Sequence, residues 1–326
     1  MYKEDDYSKN LMKINASYKD NEHAEKKIMF IRRLFGQIKN FISVCSSILH
    51  IHKSGVGKVG VMIKAFLCPK TVQDHELTYS FDHTSEIDYR EKGKEICGRV
   101  AVYTSIFGGY DTVLEPYYVS ERCDYFIITD QEVPKGSVWK KLSLEQVPGF
   151  SGMDNYHKSK YCKMMPHVLF PEYEYSIWVD GNVQIVADMI PLVDRLNDEH
   201  VMGTFQNPLH DCIYTEKNFL IYKNAANYKL LNEQISAYEQ AGFPKHFGMR
   251  EFTIIVRKHT DELCQSLMQQ WWEQVNKYTM RDQISFPYLL WKNGLTIEYI
   301  QLLGANWRDN PRFISMKHQW RHTFMK

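Results

Sequence analysis

The chain has 326 residues, 44% of them hydrophobic and 14% aromatic, so it is long and apolar enough to bury a sizeable core. Its 40 basic and 39 acidic residues leave a net charge of +1, which argues against a protein that wraps nucleic acid. The seven cysteines are scattered and include no CxxC pair. A disulfide framework and a structural zinc site are therefore not expected, and a reducing, cytoplasmic environment is favoured.

The N-terminal part of the chain carries a helical pattern. Within residues 21–52, apolar side chains recur at intervals of three and four, which predicts an amphipathic helix with a basic polar side. Such a helix packs on the body of its own protein or lies on an anionic membrane surface, and both interpretations stay open. The charged start is unlike a secretory signal, and the apolar stretch over 41–51 is too short to span a bilayer. Residues 1–95 are predicted to form a helical extension followed by a linker.

From Arg99 onward, short apolar strands alternate with helical segments. Strands are predicted over 99–111, 123–130, 175–185 and 201–205, and helices over about 155–169, 188–197, 228–241, 260–277 and 281–293. This alternation predicts an α/β domain over 96–305, with a mostly parallel, Rossmann-like sheet flanked by helices. Ligands of such sheets bind at the carboxyl ends of the strands.

Polar residues lie at the ends of three of these strands. Gly108-Gly109 after the first strand allows a backbone to approach a ligand closely, although any tight turn uses the same residues. Asp130 is the last residue of the second strand, and Asp180 ends the buried apolar run of the third. Neither a GxGxxG nor a GxxxxGK[ST] pattern occurs, so a standard dinucleotide site or P-loop is not supported.

The tripeptide Asp180-Gly181-Asn182 has metal-binding chemistry. An Mg²⁺ or Mn²⁺ ion that bridges a diphosphate needs only one or two protein oxygens, because phosphate and water complete its octahedron. Two oxygen-bearing side chains separated by glycine suit that role. The alternative is a plain Asx-Gly turn at the end of a strand.

Seven sequence blocks occur in order between Arg99 and Leu295: VYTSIFGGYD, DYFIITD, KSKYCKMMPHVLFPEYEYSIWVDGNVQI, CIYTE, QISAYEQAGFP, EFTIIVRKH and RDQISFPYLL. The series resembles the glycosyltransferase family formerly called a domain of unknown function, which includes plant mucilage-related enzymes and bacterial polysaccharide-locus proteins. The resemblance implies a GT-A-like fold, a nucleotide-sugar donor and a DxD-like metal motif at Asp180 and Asn182. The chain departs from that motif because Asn182 stands where a second carboxylate is usual.

The resemblance also implies roles for single residues. The expected donor-binding residues are Tyr103, Thr104, Gly108, Tyr110, Asp130, Lys163, Asp180, Gly181 and Gln283. Asp130 contacts the nucleoside in this interpretation and caps a helix in the alternative, while Lys163 neutralises the diphosphate or is simply solvated. His210 is expected as a further metal or diphosphate ligand, against the alternative of a solvated loop histidine.

Two acids are candidates for catalysis. Asp282 lies where Thr279 is predicted to cap a helix, so it is either the acid nearest the sugar or part of a helix start. Glu216 is the second candidate for a base that deprotonates the acceptor hydroxyl in an inverting reaction. A retaining reaction would rely instead on positioning and charge stabilisation, and the sequence does not choose between the two.

Residues 306–326 combine basic and aromatic side chains and are predicted to form a C-terminal tail. It packs on the domain or contacts an anionic membrane surface. We expect a metal-dependent hexosyltransferase that uses UDP-hexose and acts on a surface polysaccharide or lipid-linked glycan, such as a capsule or O-antigen precursor. The expected location is the cytoplasm, with peripheral contact at the inner face of the plasma membrane. The alternatives are an inactive sugar-binding or scaffold relative and a nucleotidyl- or phosphotransferase.

Overall fold

A computed structural model describes residues 45, 48, 56–67 and 98–318. Of the predicted helix over 21–52, only Cys45 and Ile48 are described, and both are helical. The rest of that prediction lies outside the described residues. No helix in the described ranges is both long and apolar enough to cross a membrane.

A seven-stranded mixed sheet forms the centre of the domain. Its strands are β1 (Val100–Ile106), β2 (Cys123–Thr129), β3 (Lys140–Leu142), β4 (Tyr175–Val179), β6 (Met202–Gln206), β7 (Arg250–Lys258) and β8 (Ile300–Leu302). Their spatial order is β3-β2-β1-β4-β7-β6-β8. Four neighbouring pairs are parallel, and β7 runs antiparallel to both β4 and β6. The predicted α/β architecture with a mostly parallel sheet is confirmed.

Helices flank the sheet. They are α1 (Val56–Leu67), α2 (Asn155–Met164), α3 (Pro166–Leu169), α4 (Ile190–Val193), α5 (Ile213–Tyr222), α6 (Tyr228–Gln240), α7 (Glu262–Lys277) and α8 (Asp282–Lys292). The predicted helix over 155–169 is divided at Met165, because Pro166 starts a new short helix. The predicted helix over 188–197 is a single turn. Neither α1 nor α5 was predicted, and these two helices pack against each other.

The predicted strand over 175–185 is also divided. β4 ends at Val179, a turn follows, and β5 (Val183–Ile185) pairs with β9 (Phe313–Ser315) in a separate two-stranded sheet. The long strand β7 was not predicted, although it lies in the middle of the sheet. Its register places Arg257 opposite Ser176 of β4.

Alternate residues of β1 point into two different cores. Tyr103 packs with Trp271 and Phe286 in the core beneath α2, α7 and α8. Val102 packs on the opposite face in a core that includes Trp307. Because both faces are covered, β1 and β4 are almost wholly buried, and their carboxyl ends are fixed relative to the helices.

The described part of the C-terminal segment, residues 306–318, packs on the domain, which is one of the two alternatives left open for the predicted tail. Trp307 is buried and its Nε1 donates to Glu251 Oε1 at 2.9 Å. Arg312 is also buried, and its Nε donates to the carbonyl of Asp188 at 2.8 Å. The described part of the predicted tail is therefore held to the domain by buried side chains. Residues 319–326 lie outside the described residues.

Replacing Trp271 with alanine should lower the free energy of unfolding by about 3–5 kcal/mol, the usual cost of a large cavity in a core. Trp271 is fully buried, and its ring lies 4.8 Å from that of Phe252 and 4.5 Å from that of Phe286. Urea unfolding checks this value. Leu263→Ala on the same helix is the control, because Leu263 is 40% exposed and its loss should change stability by less than about 0.5 kcal/mol. Equal effects of the two changes would contradict the packing described.

Candidate functional site

An open cleft of about 870 Å³ lies at the carboxyl ends of β1 and β4. The loop after β1, helix α2 and the turn after β4 supply most of its walls, and Arg281 and His318 complete them. This is the edge of the sheet where ligands of α/β folds bind. Of the predicted site residues, the lining contains Gly108, Tyr110, Lys163, Asp180, Gly181 and Asn182.

Asp180 occupies the predicted place directly after β4. Its Oδ1 accepts from Trp178 Nε1 at 2.7 Å and lies 3.4 Å from Lys163 Nζ, while its backbone N–H donates to Thr253 at 3.0 Å. The carboxylate is therefore held in one orientation, with 35% of the side chain exposed. The described contacts all use Oδ1, which leaves Oδ2 available to a ligand.

Gly181 is required by packing against β1. A Cβ at this position would lie 2.8 Å from Ile106 Cγ1, closer than real side chains approach. The glycine thus allows the turn after β4 to lie flat on the end of β1. This close approach brings Asp180 and Asn182 to the same cleft as the loop that follows β1.

Gly108 and Gly109 form a left-handed turn after β1, each with φ of +64°, which favours glycine. Asp130 accepts from the Gly108 N–H with both carboxylate oxygens, at 2.9 and 3.1 Å. It does not line the cleft itself. Its visible role is to fix the glycine turn, and its proposed contact with the nucleoside stays a prediction.

Lys160, Lys163 and Asp282 form an ion triad. Both lysine Nζ atoms lie 2.8 Å from Asp282 Oδ2, and the three side chains are between 5% and 14% exposed. The lysines come from the second half of α2, and Asp282 begins α8. One carboxylate therefore joins two helices at the edge of the cleft and leaves the triad with one excess positive charge.

The triad fixes the ionisation of Asp282. Burial alone would raise the pKa of this carboxyl, but the charges and hydrogen bonds of Lys160 and Lys163 outweigh burial and hold the pKa well below its usual range. Burial would lower the pKa of Lys160, yet Asp282 raises it above its ordinary value. Asp282 is thus ionised at neutral pH and is a weak proton acceptor. Its catalytic role stays a prediction, whereas its contacts identify it as the counter-ion of two lysines.

The start of α8 differs in detail from the sequence prediction. The N-cap residue is Arg281, not Thr279. Thr279 is buried and its hydroxyl donates to Gln234 Oε1 at 2.6 Å, which ties this turn to α6. Gln283 is half-buried beside Asp282, and its backbone N–H donates to Asp282 Oδ1 at 3.2 Å. Gln283 does not line the cleft.

Tyr103 and Thr104 lie beneath the cleft and are buried in β1. The Tyr103 hydroxyl accepts from Arg257 Nη2 at 2.5 Å and donates to the carbonyl of Lys163 at 3.3 Å. Arg257 is itself fully buried and also donates to that carbonyl, at 2.8 Å. Sequence reasoning missed Arg257, although a charged residue inside the apolar run TIIVRK was a signal. Both side chains support the end of α2 that carries Lys163.

His210 and Glu216 are brought together, but neither lines the cleft. His210 Nδ1 lies 2.5 Å from Glu216 Oε2, with the side chains 1% and 7% exposed. The pair joins the loop after β6 to the first turn of α5. Their predicted roles as metal ligand and catalytic base stay predictions, and the geometry described supports a buried structural pair.

His318 lines the cleft and was missed by sequence reasoning. Its Nδ1 lies 2.8 Å from Oδ2 of the buried Asp111, and its ring is 5.0 Å from that of Tyr110. The only signal in the sequence was a histidine within a basic, aromatic segment. Local pattern carries no information that a residue two hundred positions after β1 reaches the loop that follows it.

The described residues include no group of three or more His, Cys, Asp or Glu placed to hold a metal ion. A complete protein cage is therefore not built in this part of the chain. Asp180 Oδ2 and the amide oxygen of Asn182 still fit an ion that takes its other ligands from a diphosphate and water. The charged side chains that line the cleft also balance, with Lys160, Lys163 and Arg281 against Asp111, Asp154 and Asp180.

Replacing Asp282 with asparagine should destabilise the protein by about 3–5 kcal/mol, because two buried lysines lose their shared counter-ion. Since the pKa of Asp282 is lowered on folding, its contribution is present above the unfolded pKa of about 4 and is lost as pH falls through the folded value. The difference in the free energy of unfolding between wild type and variant should therefore be constant from about pH 5 to 8 and shrink in stronger acid. Denaturant unfolding across pH measures it.

Asp261→Asn is the matched control for that measurement. Asp261 caps α7 by accepting from the Cys264 N–H, a bond that asparagine also makes. The free energy of unfolding of this variant should be lower than that of the wild type by less than about 1 kcal/mol. A similarly small loss for Asp282→Asn would show that Asp282 serves only as part of a helix start.

Comparison with known proteins identifies relatives of this chain. Residues 127–303, more than half of the chain, match the family model described as TOD1/MUCI70, glycosyltransferase-like domain. A protein of Arabidopsis thaliana named "Probable hexosyltransferase MUCI70" is 25% identical over 219 residues, which cover 58% of this chain and 37% of the plant protein.

Among solved structures, the apo form of WbbM, a bifunctional glycosyltransferase, aligns with a TM-score of 0.38 and 13% identity, over 65% of this chain and 40% of that chain. That degree of likeness carries no inference about function. In both comparisons the chain spans less than half the length of the protein it matches. The match to the family model is the decisive one, and by it the chain belongs to the TOD1/MUCI70 glycosyltransferase-like domain family.

Proposed function

We propose that this protein is a glycosyltransferase that moves a hexose from a nucleotide-sugar donor to a hydroxyl of a glycan acceptor. The observation that carries the proposal is the convergence of Lys160, Lys163 and Asp180 in one cleft at the carboxyl ends of β1 and β4. Family membership supports the class of reaction, and the name of the plant relative supports a hexose.

The two lysines suit the diphosphate of the donor. They are nearly buried and oriented by Asp282, so their ammonium groups need little reorganisation when negative charge develops on the leaving nucleotide. Charge-assisted hydrogen bonds of this kind are stronger than neutral ones. In this proposal Asp282 orients the lysines, and they stabilise the leaving group whether the reaction retains or inverts the anomeric configuration.

A divalent cation, Mn²⁺ or Mg²⁺, is part of the proposal. The cleft lining is electrically balanced without Asp282, so a diphosphate would bring uncompensated negative charge. Asp180 and the amide oxygen of Asn182 would hold the ion, with Trp178 and Lys163 fixing the orientation of Asp180. When bound, such an ion neutralises charge on the departing diphosphate.

The nucleoside is proposed to lie toward the loop after β1. Tyr110 offers an aromatic face there, and the glycine turn that Asp130 fixes allows close approach of the backbone. UDP-hexose is the donor that we propose. Two expectations from sequence are kept as proposals: an acceptor that is a surface polysaccharide or lipid-linked glycan, and a cytoplasmic location with peripheral contact at an anionic membrane. The basic segment 21–52 and the exposed basic residues of 306–326, such as Arg308 and Lys317, would make that contact.

A screen of nucleotide sugars for Mn²⁺-dependent release of nucleoside diphosphate tests the function. We expect the wild type to act on a UDP-hexose and Asp180→Ala to lower the rate by about 10²–10⁴, because a fixed group that stabilises the leaving diphosphate is lost. Thermal unfolding should show that the variant stays folded.

Asp198→Ala is the control for that screen, since Asp198 is an exposed carboxylate outside the cleft lining and its loss should leave the rate unchanged. Equal rates for wild type and Asp180→Ala would remove Asp180 from the site. Binding of a nucleotide sugar without any turnover would instead support an inactive, sugar-binding relative.

A further inference from the structure

The segment 311–318, here called the C-terminal strap, runs from the core that includes Trp307 to the cleft. Its first part is hydrogen-bonded to the residues that follow the Asp180 turn. β9 pairs antiparallel with β5, and the Val186 N–H donates to the carbonyl of Arg312 at 2.9 Å. Phe313 is buried beneath this pair, whereas Ile314 is 39% exposed. The strap therefore lies beside the turn that carries Asp180.

Asn182 makes two hydrogen bonds to one residue of the strap. The Met316 N–H donates to the carbonyl of Asn182 at 2.8 Å, and the Asn182 side-chain Nδ2 donates to the carbonyl of Met316 at 3.1 Å. The first bond is available to any residue at position 182. The second requires a side-chain N–H donor, which a carboxylate lacks.

Two residues beyond this contact, the strap reaches the cleft. His318 meets Asp111 at 2.8 Å and packs against the ring of Tyr110 at 5.0 Å. Tyr110, Asp111 and His318 all line the end of the cleft that is formed by the loop after β1. A continuous set of contacts thus runs from Asn182 through Met316 to the wall of the cleft.

We propose that Asn182 is a positioning residue whose side-chain N–H holds the strap, so that His318 and Tyr110 together form the nucleoside end of the donor site. This inference rests on the proposed function and deepens it. It also gives a physical reason for an asparagine side chain at this position. Aspartate at this position would keep an oxygen for a metal ion but would place a negative charge against the Met316 carbonyl.

Asn182→Asp separates this role from metal binding alone, because the two predict opposite results. If Asn182 serves only as a metal ligand, a carboxylate is the better ligand and Mn²⁺-dependent binding of a nucleotide is retained or improved. If its N–H holds the strap, the change weakens binding of UDP by about tenfold in the absence of Mn²⁺, where metal ligation plays no part, the scale of one lost hydrogen bond plus repulsion.

Proteolysis gives a readout that does not depend on activity. Lys317 is exposed and lies between the Met316 and His318 contacts, so trypsin cleavage after Lys317 reports release of the strap. Asn182→Asp and Asn182→Ala should both speed this cleavage by about tenfold, followed by mass spectrometry. Ile314→Thr is the control: it alters an exposed side chain of the strap without touching the Asn182 contact, and should leave cleavage unchanged.

A double-mutant cycle completes the experiment. His318→Ala should weaken UDP binding in the wild type but add little in the Asn182→Asp variant, because the strap is already released there. Unchanged cleavage at Lys317 together with equal or tighter UDP binding by Asn182→Asp in the absence of Mn²⁺ would overturn the proposal. If the wild type binds no nucleotide, the proposed function fails, and the cleavage comparison still decides whether Asn182 holds the strap.

Discussion

The geometry of this site depends on one carboxylate shared by two lysines. Lys160 and Lys163 belong to α2, which packs over β1, whereas Asp282 begins α8 at the far end of the chain. Two buried ammonium groups would repel each other and lose hydration without Asp282. The ion triad is therefore stable only when α2, α8 and the ends of the central strands are assembled together.

Two buried side chains from other elements donate hydrogen bonds to the backbone of the triad residues. Trp271 of α7 donates to the carbonyl of Asp282, and Arg257 of β7 donates to the carbonyl of Lys163. The first bond fixes the start of α8, and the second fixes the end of α2. The strand β7 is antiparallel to both of its neighbours and supplies Arg257. The guanidinium group of Arg257 thereby holds the end of α2 that carries Lys163.

The sequence predicted those parts of the site that depend on local pattern. A buried apolar run that ends in Asp180 implies a strand end, and the structure has the strand end there. For Gly108 and Gly109, close backbone approach to a ligand and a plain tight turn were both left open, and the structure has a turn there. The contacts between distant segments were not predictable in this way. His318 and Asp111 are 207 positions apart, and no periodicity relates them.

His210 shows the opposite case. A ligand and a solvated loop histidine were the two interpretations of His210. Tertiary packing buries it against Glu216 and outside the cleft lining, so the solvated alternative is wrong and the ligand role stays a prediction. For the segment from residue 306, packing on the domain and contact with a membrane both stayed open, because basic and aromatic composition describes a membrane-facing tail and a packed strand equally well. Burial of Trp307 became visible only in the structure. The resemblance of the seven sequence blocks identified the family. Which side chains line the cleft could be established only from the three-dimensional structure.

The central claim is that the cleft recognises a diphosphate through Lys160 and Lys163. Calorimetric comparison of UDP with uridine on the wild-type protein tests it directly. Two charge-assisted hydrogen bonds contribute about 3 kcal/mol or more, so the account predicts that UDP binds at least about a hundredfold more tightly than uridine. Equal affinities for UDP and uridine would contradict it.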